Sequence, residues 1–206
     1  MQRFPANTCT IMDEEHCKDC PLKADLKCRF TRGHLLRFIT PAFIFMLLSG
    51  AGMIVNGFYW QLGVWVLFLI VFFTLWEIRI LCSHCPFYAE DANTLHCIAN
   101  YGSPKVWKYH PEPMSQSEKI QLLIGFGLFG GWNLIWLISA GDWVFAGLHL
   151  VLIAGFFTWL TQRVCNQCVN FSCPLNHVPK PIVDAYLRRN PIMKDAWVKS
   201  GYQLDE

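Results

Sequence analysis

Two long stretches of this chain are almost free of charge. Between Phe38 and Trp76 there is no Asp, Glu, Lys or Arg, and between Ile120 and Gln162 the only one is Asp142. A helix resting on a soluble core is rarely so uniform, because its outer face must meet water. Each stretch is too long for one bilayer crossing of roughly 20 residues. Each also breaks near its middle, at NGFYWQ (56–61) and SAGD (139–142), where Asn, Gly and Asp tolerate turn conformations. The pattern therefore predicts an all-α integral membrane protein with four spans, near Leu36 to Val55, Phe58 to Trp76, Ile120 to Ala140 and Trp143 to Leu160. Trp60, Trp65, Trp76, Trp143 and Trp159 fall near span ends, where amphipathic rings prefer the interface.

Composition agrees, at 53% hydrophobic and 16% charged. All 17 Lys and Arg lie in the N-terminal segment, the middle segment or the C-terminal segment, and none in either short turn. The positive-inside rule then places both termini and the middle segment in the cytoplasm, for a multi-pass protein of the cell membrane. The first 37 residues are polar and cysteine-rich, so no signal peptide is expected before the spans. The net charge of +2 gives no case for nucleic acid as a partner; the bilayer is the expected one.

The two halves are alike. FFTLWEIRILCSHC (72–85) is echoed by FFTWLTQRVCNQC (156–168). Phe72-Phe73-Thr74 matches Phe156-Phe157-Thr158 at an offset of 84, Arg79 matches Arg163 at the same offset, and Cys82 and Cys85 match Cys165 and Cys168 at 83. This reads as a duplicated unit, a helical hairpin followed by a cysteine knuckle, with the two copies related by a pseudo-twofold axis along the membrane normal. The expected layout is a cytoplasmic Cys-rich segment (1–34), hairpin 1 (35–81), a Cys-rich connector (82–118), hairpin 2 (119–163) and a Cys-rich C-terminal segment (164–206).

Within the spans, Gly50, Ala51, Gly52, Gly125, Gly127, Gly130 and Gly131 would let helices approach closely, and Asn133, Thr74 and Thr158 read as interhelical hydrogen-bond partners. His149 is the single histidine inside a predicted span, which precludes a bis-histidine haem within one copy. As an intramembrane ionisable residue it is a candidate cofactor-binding group, for a quinone.

The ten cysteines all fall on the predicted cytoplasmic side: Cys9, Cys17, Cys20 and Cys28, then Cys82, Cys85 and Cys97, then Cys165, Cys168 and Cys173. The cytosol disfavours a disulfide network, so the pattern points to metal or redox chemistry. Two thiolates two residues apart can grip one metal from a single tight turn while further ligands arrive from elsewhere. Pro follows Cys20, Cys85 and Cys173, as in ferredoxin motifs, and cysteine-only ligation suits iron–sulfur clusters. Zinc is the alternative, since Cys165, Cys168, Cys173 and His177 have a compact Cys3His spacing. The cysteines could divide four, three and three, with the last two sets borrowing a histidine from His84, His96, His110 or His177. Alternatively Cys82, Cys85, Cys165 and Cys168 could meet at the axis. Dithiol exchange is a third chemistry, but no thioredoxin-like pattern surrounds the pairs.

The connector interleaves Pro104, Pro111 and Pro113 with Tyr101, Trp107 and Tyr109, a rigid strap with aromatic anchors, and Ser115 with Glu118 fits a capping box opening the third span. In the tail, Ile182, Val183, Tyr186 and Leu187 share one helical face before Pro191 breaks the pattern, with Arg188, Arg189, Lys194 and Lys199 on its basic side. No phosphate-cradling loop, nucleophile elbow or H-E-x-x-H is present.

In topology and cysteine placement the chain resembles the polytopic membrane ferredoxins of nitrate and nitrous-oxide respiration, which also set Cys-Pro motifs after membrane helices. Their C-x-x-x-C-P spacing and full ferredoxin runs are not reproduced. The expected function is an iron–sulfur electron-transfer subunit linking a cytoplasmic redox or membrane-complex partner to the membrane. The alternatives are a zinc-stapled scaffold or assembly factor, and a membrane-embedded enzyme acting on lipid or quinone.

Overall fold

A computed structural model describes residues 8–11 and 14–205. Its regular structure is helical, with one isolated antiparallel bridge between Thr94 and Pro104 among the described residues. Four rods are long and apolar enough to cross a membrane. They are α1 (Arg32–Val55), then α2 (Tyr59–Val71) running through a π-helical turn (Phe72–Trp76) into α3 (Glu77–Ile80), then α4 (Gln116–Ser139) and α5 (Trp143–Arg163).

Local chemistry sets their ends. The Thr31 hydroxyl accepts the His34 N–H at 3.2 Å to open α1. A capping box opens α4, as the sequence anticipates: Ser115 Oγ accepts the Glu118 N–H at 3.3 Å and the Glu118 carboxylate accepts the Ser115 N–H at 2.8 Å. The two reversals rest on Gly57 and Gly141, at φ 75° and 72°. Asp142 caps α5 by accepting the Phe145 N–H at 3.1 Å and also accepts the Asn56 side-chain amide at 2.8 Å, tying the two reversals together.

The rods form one bundle in which α1 packs on α2, α4 and α5, and α4 on α2 and α5. Phe45, Trp65, Phe129 and Phe156 fill its centre. Leu47, Leu67, Ile135, Val144 and Val151 cover its outside and are exposed, an apolar shell that calls for lipid. Trp60 and Trp143 are exposed at the turn ends as expected. Trp65 departs from that expectation: it is buried, and its indole N–H donates to the Phe129 carbonyl at 3.2 Å. A buried indole needs a partner, and the neighbouring helix provides it.

Of the six glycines named, three sit at a close approach. A Cβ on Gly125 would stand 2.1 Å from the Phe72 ring, and one on Gly52 or Gly130 would stand 2.9 Å from Phe145 or Ile153. Gly127 and Gly131 face open space. Thr74, expected to bond across helices, instead donates to the Ile70 carbonyl of its own rod at 2.6 Å, inside the π turn; Thr158 is exposed.

The turn also bears on register. Seven steps separate Thr74 from Leu81, the residue that caps α3, but six separate Thr158 from Val164, the residue that caps α5. A π turn accommodates one added residue without ending the helix. Measured from these ends, Arg163 stands level with Ile80 and not with Arg79. The Arg79 guanidinium instead pairs with Glu118 at 3.2 Å.

At the cysteine-bearing end, the N-terminal segment, the connector and two tail helices, α6 (Lys180–Arg188) and α7 (Pro191–Lys199), share a second core around Leu22, Leu26, Val169, Tyr186, Leu187 and Trp197. Pro191 does more than end the first tail helix. It occupies the first turn of the next, where its missing N–H costs nothing. In the connector, Tyr101 stacks on Phe30 with centroids 4.7 Å apart, anchoring the strap to the N-terminal segment, and the Trp107 indole donates to the Leu75 carbonyl at 3.2 Å, anchoring it to the bundle.

Candidate metal centre

The two C-x-x-C knuckles have the same backbone course. Each rod ends on a residue near φ −117°: Leu81 at φ −116°, ψ −58° and Val164 at φ −118°, ψ −53°. Each then makes one 3-10 turn, Cys82–His84 or Cys165–Gln167, closed by the second cysteine's N–H on the first one's carbonyl. Cys85 and Cys168 leave these turns at φ −83°, ψ 138° and φ −82°, ψ 134°. The extended exit turns the chain off the helical axis, so both thiols of a pair can face one side.

Both pairs line a single cavity of 380 Å³, together with Cys97 and Cys173. Cys9, Cys17, Cys20 and Cys28 line a second one of 620 Å³. The ten thiols thus divide six and four, bringing the two knuckles together. Lys27 lines both cavities, and its backbone N–H donates to the Gln167 carbonyl at 2.8 Å. That bond seats the N-terminal segment on the second knuckle.

Asparagines surround the sulfurs. The Asn100 N–H donates to Cys97 Sγ at 3.1 Å, and its side-chain amide donates to Cys82 Sγ at 3.2 Å and to the buried Glu77 carboxylate at 2.6 Å. The Asn170 N–H points at Cys168 Sγ at 3.5 Å while its side chain donates to the Leu81 carbonyl at 2.9 Å, joining one knuckle to the other. Asn190 donates to Cys9 Sγ at 3.3 Å. Around the second cavity cationic donors join it, with Arg29 Nε 3.4 Å from Cys17 Sγ and Arg189 Nη1 3.6 Å from Cys20 Sγ. Apart from Arg189, on the basic side of the tail, none of these polar residues is conspicuous in the sequence. The available signal is proximity in C-x-x-N (97–100) and C-x-N (168–170).

The thiols are held in conditions that oppose bare ionisation. Burial pushes Cys28 up to about 12, with repulsion from Cys9, Cys20 and Cys17 adding to it. Burial likewise pushes Cys97 up to about 11 and raises Cys85, Cys168 and Cys173. A cation reverses this balance by favouring thiolate.

No three His, Cys, Asp or Glu side chains among the described residues stand close enough to share one metal ion. The thiols line the two cavities without forming a closed ligand set, and thiolates are the ligand type of both zinc and iron–sulfur centres.

Among the described residues no histidine lines the six-cysteine cavity. His177, expected to complete a Cys3His site, is exposed and lines neither cavity. His84 is buried between the Glu112 carbonyl at 2.7 Å and the Glu118 carboxylate at 3.3 Å, while His96 and His110 pair with Glu90 and Glu112, each at 2.9 Å. His34 is a residue that sequence reasoning overlooks. It lines the four-cysteine cavity, and its Nδ1 is buried without a hydrogen-bond partner among the described residues.

His149 lies in neither cavity. It is 2% exposed, with Nε2 at 2.7 Å from the Gly130 carbonyl and Nδ1 at 2.9 Å from Ser49 Oγ. A carbonyl only accepts, so Nε2 carries the proton and Nδ1 accepts from the hydroxyl. Ser49 in turn accepts the Asn133 side-chain amide at 2.7 Å. Both ring nitrogens are therefore engaged in tying α1, α4 and α5 together. No family model matches this chain, and neither a curated protein nor a solved structure is significantly similar to it.

Proposed function

We propose that this chain is a membrane-anchored electron-transfer subunit carrying iron–sulfur centres in its two cysteine cavities. The observation that carries the reading is the convergence of six cysteines from two separate segments on one cavity, with amide N–H groups directed at their sulfurs. An iron–sulfur centre supplies reversible one-electron storage at a potential set by hydrogen bonds, charge and exposure around its sulfurs.

The chain's own residues account for the rest. Cys82, Cys85, Cys165 and Cys168, with Cys97 and Cys173, are the ligand pool of the inner centre. Cys9, Cys17, Cys20 and Cys28 serve the outer one. Asn100 and Asn170 donate to inner sulfurs, and Arg29, Arg189 and Asn190 to outer ones, which lowers the cost of added negative charge. Lys27 stands at the wall common to both and holds them adjacent.

The matched knuckle dihedrals favour descent of the two hairpins from one duplicated unit. With the π turn absorbing the added residue, the pseudo-twofold axis runs between the knuckles. The distribution of Lys and Arg puts the cysteine-bearing end in the cytoplasm of a cell with the chain in its bounding membrane. There it meets a soluble redox protein or a partner subunit, and Arg188, Arg189 and Lys199 on the tail offer a basic docking rim.

Anaerobic purification followed by visible absorption and assay of iron, acid-labile sulfide and zinc is the test. A brown protein with sulfide in step with iron is expected. Stoichiometric zinc in a colourless protein would replace this reading with the zinc-stapled scaffold. Cys82→Ser and Cys165→Ser should perturb the same spectroscopic signal, and Cys17→Ser a different one.

A further inference from the structure

The six-cysteine cavity does not stop at the sulfurs. Its walls continue into the bundle past Ala42 and Met46 of α1, between the rings of α4 and α5. Phe156, on that wall, precedes Cys165 by nine residues. At 1.5 Å per residue the apolar arm therefore reaches about 13 Å from the cysteine. Thiolate ligands act only at the other end, so a sulfur-held centre does not account for the arm.

Three features specify what would occupy it. The wall is aromatic, formed by Phe73, Phe126, Phe129, Phe156 and Phe157, which suits a flat π system. Ile39 lines the arm and is 42% exposed, marking a side opening toward the lipid-facing surface. At the cysteine end stands Lys27, whose ammonium gives one N–H to the Arg163 carbonyl and has three to offer. A phospholipid fits poorly, since its charged headgroup would have to enter an almost wholly apolar chamber.

We infer that this arm is a binding site for a membrane quinone. The ring lies among the phenylalanines, a carbonyl oxygen faces Lys27, and the prenyl tail leaves past Ile39. The choice of a redox-active ring over another flat apolar molecule rests on the electron-transfer reading above. The site lies away from His149, the residue the sequence offers for this role, because that imidazole is committed to Gly130 and Ser49.

Binding itself is the test, with the full chain in phosphatidylcholine nanodiscs titrated with a short-tailed naphthoquinone and followed by tryptophan quenching. Saturable binding of one quinone per chain is expected. Ala42→Trp fills the arm without touching a cysteine and should weaken binding about tenfold or more. Ala42→Leu should give an intermediate loss if the larger residue prevents folding. His149→Leu should leave the affinity unchanged. Non-saturable uptake, equal in the wild type and both Ala42 variants, would mean simple solution in the bilayer and overturn the site. Iron and sulfide assayed on the same samples separate the two ideas. A metal-loaded protein that binds no quinone sinks the arm alone, and a metal-free one that binds it sinks the electron-transfer reading alone.

Discussion

Asn190 grips Cys9 twice across almost the whole chain. Its side-chain carbonyl accepts the Cys9 N–H at 2.7 Å and its amide donates to Cys9 Sγ at 3.3 Å. The residue is 2% exposed and also donates to the Tyr186 carbonyl. Asn190→Ala strands the Cys9 N–H, while the Tyr186 carbonyl keeps the Arg189 N–H at 3.1 Å, a loss of about 1–3 kcal/mol. Thermal unfolding should show it, with iron lost from the four-cysteine site before the six-cysteine site. Equal loss from both would argue against a dedicated clamp.

Gly125 admits the Phe72 ring where any side chain would collide with it. Gly125→Ala should cost roughly 1–3 kcal/mol through overpacking. Phe72→Leu introduced on top should recover part of that cost, because the two act through one contact. Additive effects in a melting experiment would place the strain elsewhere.

His149 is a tie between helices, with both ring nitrogens engaged. His149→Leu should lower stability by about 1 kcal/mol, the scale of interhelical hydrogen bonds in membranes, and leave iron content and visible spectrum unaltered. A spectral change would reassign the residue.

The metal-free protein should show a definite alkaline limit. Cys97 and Cys28 are raised from 9.0 to about 11 and about 12 in the fold. A raised folded-state pKa means that the fold favours the protonated thiol. That contribution is complete below pH 9 and fades as pH climbs through 11 to 12. Melting temperatures of chelated, reduced protein should fall across that window. Loaded protein should resist the fall, because its cysteines are already thiolates bound to metal. Loading must also release protons, so apparent metal affinity near neutrality should rise with pH.

Much of the bundle was legible because its signals are local. Charge-free runs, turn residues at Gly57 and Gly141, and the Ser115–Glu118 box each act within a few positions. Trp65 was misplaced because its nearness to a span end says nothing about which face it occupies. The meeting of the knuckles at one cavity was one of two open divisions, and only tertiary packing brings Cys97 and Cys173 to join them. The asparagine donors were invisible for the same reason: an amide next to a sulfur in space leaves no periodic trace in the chain. His177 looked eligible by spacing, yet the chain carries it out to solvent after Cys173.

The widened coil at Phe72–Trp76 has a mechanical meaning. In a regular helix one surplus residue swings everything beyond it by about 100°, enough to aim Cys82 at hydrocarbon in place of its partners. On the proposed duplication of the hairpins, letting the spiral loosen for a single turn takes up that error near the aromatic layer, before it reaches the thiols. Helix length on that side is therefore adjustable at one locus, and an insertion or deletion made nearer the cysteines would have nowhere to be absorbed.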